Sequence, residues 1–290
     1  MTICAKVIED SISEFGKRIT TMQVKFQRFI LPEFNTHRVF SRNFSSSRAI
    51  PTKKLLDQVR TDPAMPVHWG KNQPGMQAAE ELTGISKVSA KMSWIAAANE
   101  AASRAQVMSD IGVHKQIVNR IIEPYVWAHG VVTSTEWDNW FELRDHEDAQ
   151  PEIRELAIQM KAAMKESVPK MLYYGEWHLP YVTDTERNDS FFTKIEANRI
   201  MLQKISAARC CRVSYLKHDG DVPNIDEDLE LFMRLAGSAP LHASPLEHQA
   251  TPDAIWLHGI NHNDGWMSSR LHGNFKGWIQ HRKNWESNLV

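Results

Sequence analysis

The reading of this chain turns on THRVFSRNFSSSR, residues 36–48. It holds too many small hydroxyl residues for a helix and too little alternation for a strand, so it reads as a loop with a functional reason to exist. Arg38, Arg42 and Arg48 surround three successive serines, Ser45, Ser46 and Ser47. Hydroxyls, exposed backbone N–H groups and guanidiniums together suit a phosphate monoester. A solvated serine-rich turn is the other reading that composition leaves open.

Working outward, KRITTMQVKFQRFIL (17–31) is rich in β-branched and aromatic residues and reads as a strand or hairpin, with Pro32 at its end or edge. Pro51 opens a short helix, KKLLDQVR. A long loop, 61–76, holds three prolines and two glycines. Helix is expected from Gln77 to about Gly112 and again at HKQIVNRII, stopping near Pro124. YVWAHGVV suits a strand. Thr133 and Glu136 have capping-box spacing, which predicts that TEWDNWFELR is a helix. From Asp148, AQPEIRELAIQMKAAMKESV places Ile153, Leu156, Ala157 and Met160 on one helical face. The aromatic run 172–189 reads as an irregular connector, followed by helices from Phe191 to about Cys211 and from Asn224 to Leu235. Beyond residue 252 come four Trp and four His with no assignable regular element. The sum is an α+β chain, helix-rich with a few strands.

Its 290 residues allow one or two domains, and 34 Lys+Arg against 35 Asp+Glu leave a net charge of −1. That balance argues against a nucleic-acid partner or an anionic membrane surface, both of which need excess positive charge. No apolar run is long enough for a membrane span, and no signal peptide is visible at the N-terminus. Cys4, Cys210 and Cys211 cannot build a disulfide framework, so a reducing cytoplasm is the expected location.

Arg120 and Arg144 follow apolar helix faces that would carry their heads into the interior or a cleft, where each needs an anion. A structural ion pair, for example with Glu123 or Glu147, is the alternative. HASPLEH, His242–His248, puts two imidazoles and Glu247 around a proline turn. Its spacing matches no recognised zinc motif, and no metal is expected. A ligand-contacting turn and a plain cap with exposed histidines both remain open.

Together these blocks resemble the flavin-dependent thymidylate synthase family. Its signature, Arg-His-Arg followed by S-x-N-E-x-S-x-R, is matched in spacing by His37, Arg38, Ser41, Asn43, Ser46 and Arg48. RIIEP (120–124), NWFELR (139–144) and AQPEIR (149–154) are similar to the family's next segments, in order. AARCCRVSY (207–215) and HASPLEH resemble blocks that precede the signature in the family but follow it here, so the chain looks circularly permuted. Three positions depart from the pattern: Glu33 stands for glutamine, Thr36 for the first arginine and Phe44 for glutamate.

The resemblance implies one catalytic domain over 1–290 with an α+β fold and a small, mostly antiparallel sheet. Residues 1–166 would hold the signature and nucleotide blocks, 167–200 the connector, 201–250 the permuted flavin block, and 251–290 a tail of unassigned role. It implies a homotetramer with shared active sites that methylates dUMP, using methylenetetrahydrofolate, FAD and NADPH. Thr36, His37, Arg38, Asn139, His242, Ser244 and Glu247 would meet FAD. Glu33, Ser45, Ser46, Ser47, Arg48 and Arg120 would hold the nucleotide, and Arg144 would contact its ring as the catalytic group. With an arginine missing at Thr36, the tail's HGNFKGWIQHRK offers Lys276, Arg282 or Lys283 instead. The alternatives are methylation or hydroxymethylation of another pyrimidine nucleotide such as dCMP, or a non-catalytic flavin- or nucleotide-binding protein.

Overall fold

The structure, a computed structural model, describes residues 2–214, 221–222, 224–237, 239–255 and 265–287. Tyr215 of AARCCRVSY and residues 256–264 and 288–290 of the aromatic tail lie outside the described residues.

A five-stranded sheet organises the chain, in the order β3-β4-β2-β1-β5. Its strands are β1 (Cys4–Ser13), β2 (Arg18–Gln27), β3 (Ser41–Phe44), β4 (Trp127–Ser134) and β5 (Lys170–Leu172). All pairings are antiparallel except β1 with β5. The period of two in β2 explains its placement. Met22, Val24 and Phe26 point to one face, while Ile19 and Thr21 point to the other; all five are buried.

On the first face lie α1 (Leu31–Phe34) and, further along, α5 (Asp138–Arg144) and α6 (Pro151–Glu166). The stripe Ile153, Leu156, Ala157 and Met160 is wholly buried there beside Trp137 and Trp140. To one side, α2 (Thr52–Thr61), α3 (Gly84–Asp110) and α4 (Lys115–Ile121) share a core of their own around Leu56, Val59, Ala102 and Val118.

The second face is closed by the chain's later part: α7 (Asp184–Asn188), α8 (Ser190–Thr193), α9 (Glu196–Arg212) and α10 (Ile225–Ala236). A small second sheet pairs β6 (Ala250–Pro252) with β7 (Trp278–Gln280), which runs into α11 (His281–Ser287). A buried chain of hydrogen bonds stitches this layer to the sheet. Ser11 Oγ meets His178 Nδ1 at 2.9 Å, and His178 Nε2 meets Thr21 Oγ1 at 2.7 Å. Thr21 and Thr133 share a 2.7 Å bond, and Thr133 Oγ1 meets His248 Nδ1 at 2.8 Å. No helix among the described residues is long and apolar enough to cross a membrane.

Several sequence expectations need correction. The helix expected from Gln77 starts at Gly84, because Lys71 and Leu82 N–H groups bond across the loop to Glu80 and Trp69 carbonyls, taking 80–82 out of helical pairing. Thr133 does not cap α5; its hydroxyl serves Thr21 and His248 inside β4, and the helix begins at Asp138. Part of the signature loop is strand β3, an edge strand whose polar sequence hides its pairing with β4. The helix expected from Phe191 is two, α8 and α9, and the tail holds β7 and α11.

Candidate active site

The signature loop leaves β3 at both ends, so its two functional halves are separated by the strand's four residues, ~13 Å of extended chain.

At the first end, His37 is buried with its ring edge-on to Trp140, centroids 4.6 Å apart. Arg144 Nε donates to His37 Nε2 at 2.9 Å, and its Nη2 reaches Thr36 Oγ1 at 3.4 Å. Burial, with the charges of Arg144 and Arg42, pushes the His37 pKa down to about 4. The imidazole is therefore neutral near pH 7, the form that can accept from a guanidinium. Arg42 braces the same turn, donating to Asn35 Oδ1 at 2.8 Å and to the carbonyls of His37 and Phe40. Glu33 and Thr36 are exposed, and Thr36 turns its hydroxyl onto the Glu33 carbonyl at 2.7 Å.

Behind this turn opens a cavity of about 440 Å³ that the chain builds from three distant segments. Arg38, Phe40 and Arg42 come from the signature loop, and Glu247 from HASPLEH. Gly273, Asn274, Gln280, Arg282 and Lys283 come from the tail. The HASPLEH block therefore does reach the signature loop: Glu247 and Arg38 face one cavity. Arg282 pairs with Glu247 and donates to Glu286 at 2.8 Å, while Lys276 is taken up by Glu136. Gln280 Nε2 bonds Asn274 Oδ1 at 2.7 Å, and Asn274 Nδ2 holds the Val39 carbonyl at 2.8 Å. Gly273, at φ +61°, lets the tail fold back on itself beside Gln280, since a Cβ there would sit 2.5 Å from Gln280 Oε1.

At the other end of β3, Ser47 is buried and donates to Glu123 Oε1 at 2.5 Å. Arg120 and Arg28 reach the same carboxylate at 3.0 and 3.3 Å. Arg120 thus makes the structural ion pair that its sequence left open. Ser46 and Arg48 are exposed, and Ser45 is half-buried.

Asn139 is exposed on the first turn of α5, and His242 and Ser244 are exposed on the HASPLEH turn. His248 is buried against Thr133, so the two histidines of that turn have different surroundings. Phe44 packs into the core, edge-on to Phe26 and Phe34, over Gly130.

Sequence reasoning missed Asn274 and Gln280 as cavity walls, and Arg28 and Asn119 as anchors of the serine turn; Asn119 Nδ2 donates to the Ser47 carbonyl at 2.7 Å. One signal was available for the tail. The dipeptide His-Arg occurs at 37–38 and again at 281–282, and in both places the histidine is buried and the arginine lines the cavity.

Residues 10–170 match the family described as thymidylate synthase complementing protein. No curated protein matches the chain. Among solved structures, it is similar to a UMP/dUMP methylase, PolB, from Streptomyces cacaoi bound with 5-Br UMP, at a TM-score of 0.48 and 16% identity over 58% of this chain and 90% of that one. The same methylase bound with 5-Br dUMP gives 0.45 and 15% over 58% and 91%.

Proposed function

This chain belongs to the thymidylate synthase complementing protein family, and from that premise we propose that it is a flavin-dependent thymidylate synthase. It would convert dUMP to dTMP with methylenetetrahydrofolate, FAD and NADPH, as a cytoplasmic homotetramer with shared sites. The observation that carries this reading is the Arg144–His37 pair standing at the turn whose next residue, Arg38, lines the cavity with Glu247.

The chemistry asks for an electron-rich pyrimidine C5. His37 engages only the Nε of Arg144, and the 3.4 Å approach to Thr36 is weak, so the outer guanidinium edge is left for a ligand. That edge suits the N3–O edge of a uracil, where it would stabilise negative charge as it develops on the ring. C5 would take the methylene carbon of methylenetetrahydrofolate as that carbon's bonds to the folate nitrogens break, and the C5 proton would leave. A bound reduced flavin would supply the hydride that completes the methyl group.

Support for a flavin dinucleotide comes from the cavity, where four cationic side chains face Glu247. His37, Arg38 and Glu247 would hold it, with Asn139, His242 and Ser244 meeting it from their exposed positions. Their exposure in one chain fits a site completed by a second copy. Ser46 and Arg48, with Arg120, would receive the nucleotide phosphate, although Arg120 would have to share or leave Glu123 to do so.

Uracil is favoured over cytosine by the same guanidinium, because only the dione can place negative charge along an N3–O edge by losing a proton. The test is a purified, yellow protein assayed with dUMP and dCMP in parallel. Turnover on dUMP alone supports the reading; a colourless protein that takes up no FAD, or turnover on dCMP alone, overturns it.

A further inference from the structure

The C-terminal segment 273–283 lies outside the matched stretch 10–170, yet it forms half of the cavity described above. Resting on the flavin reading, we propose that this segment completes a diphosphate clamp, with Arg282 as the cation that shares the cavity with Arg38.

Charge is the first argument. Arg38, Arg42, Arg282 and Lys283 line the cavity with Glu247, and Glu286 stands beside them, receiving Arg282 at 2.8 Å and Lys283 at 3.0 Å. Four cations against two carboxylates leave two positive charges. A dinucleotide's diphosphate brings two negative ones, whereas an uncharged isoalloxazine ring would leave the surplus unanswered.

The second argument is which donors are available. Arg42 is spent on Asn35 and on the carbonyls of its own turn, so it contributes charge but few free N–H groups. Arg38 is exposed and has no side-chain partner among the described residues. Arg282 is held in place by Glu247 and Glu286, which leaves its remaining N–H groups pointing from a fixed position. Lys276, the third candidate, is engaged outside the cavity by Glu136. A guanidinium anchored by carboxylates loses little freedom when it takes up a phosphate, and its fork matches two phosphate oxygens.

The third is the way the wall is built. Gln280, buried immediately before His281, bonds Asn274, which in turn holds the Val39 carbonyl and Ser41 Oγ. The tail is thus bolted to the signature loop through Asn274 and Gln280, just before Arg282, so the register of Arg282 against Arg38 is set by the fold.

The experiment uses the full chain and its Arg282→Gln and Arg282→Lys variants, with thermal unfolding to show that each is folded. Binding of inorganic pyrophosphate, FAD, riboflavin and dUMP is measured by calorimetry and flavin fluorescence. Losing a charge-assisted fork should weaken both FAD and pyrophosphate by ~10–100-fold in Arg282→Gln. Arg282→Lys should recover part of this, and riboflavin binding should be unmoved. If wild type binds FAD and the folded Arg282→Gln variant binds FAD and pyrophosphate equally well, the clamp is wrong while the flavin reading stands. If wild type binds pyrophosphate through Arg282 but no FAD, the flavin reading fails while the anion pocket stands. Displacement of pyrophosphate by dUMP but not by FAD would overturn the assignment to a dinucleotide, and failure of pyrophosphate to bind wild type would overturn the pocket itself.

Discussion

Arg144 and His37, 107 positions apart in the chain, share a 2.9 Å hydrogen bond in which the guanidinium Nε donates to the imidazole Nε2. The bond places the ring proton on Nδ1 and points Arg144 from the end of α5 toward the signature turn. We expect Arg144→Ala to fold and keep its flavin while methylation falls ~10²–10³-fold, the usual loss when one electrostatic donor is removed. Arg144→Lys should restore only part, because an ammonium lacks the planar fork. Single-turnover rates on flavin-loaded protein check this; near-wild-type turnover in Arg144→Ala would leave Arg144 a structural partner of His37.

Gly130 pairs with Phe44 across β3 and β4, and a Cβ at Gly130 would lie 2.2 Å from the Phe44 ring. Gly130→Ala should therefore destabilise the fold by ~1–3 kcal/mol through overpacking. Adding Phe44→Ala should make the glycine substitution nearly neutral, since the ring it strikes is gone. A double-mutant cycle in urea reads this directly, and additive losses would contradict it.

The main lines of the fold were legible because β2 and α6 carry clean periods of two and 3.6. The loop at 36–48 was legible as chemistry because arginines and serines rarely crowd together without a ligand or a turn to serve. What could not be read was what covers the sheet's second face. Thr21 and Thr133 look like ordinary strand residues, and only the fold shows that His178 and His248 come to meet them. Likewise β3 is too polar and β1 too irregular in pattern to announce a strand, and although Glu123 stood out as a partner for Arg120, nothing in the sequence showed that Ser47 and Arg28 would join it.

That buried histidine layer predicts an acid limit. Burial holds His248 at about 3 and His281 at about 4, and pushes His178 well below an ordinary histidine. The unfolded chain takes up these protons near 6.5 while the folded chain refuses them. Stability is therefore full above about pH 6.5 and falls as pH drops toward 4, by up to ~1.4 kcal/mol per unit for each such histidine. Urea midpoints compared between about pH 8 and pH 5 should show the fall, and the range stops above ordinary carboxylate titration. A midpoint independent of pH over that range would contradict the burial.

Arg209, in the AARCCRVSY block, is buried and donates to Asp228 at 2.9 Å and to Glu186 at 2.6 Å, with Arg212 also on Asp228. Asp228→Asn leaves these guanidiniums short of a counter-charge in a dry site, and should cost ~3–5 kcal/mol. Thermal unfolding checks it, and a loss no larger than that of an exposed pair would show that the network is dispensable.

The decisive measurement is the mass of the nucleotide formed when the purified protein is given dUMP, methylenetetrahydrofolate, FAD and NADPH. The product should be heavier by one CH₂ and form at a rate that collapses in Arg144→Ala. Recovered dUMP of unchanged mass, or a product carrying an added CH₂O instead, would contradict the methylation reading.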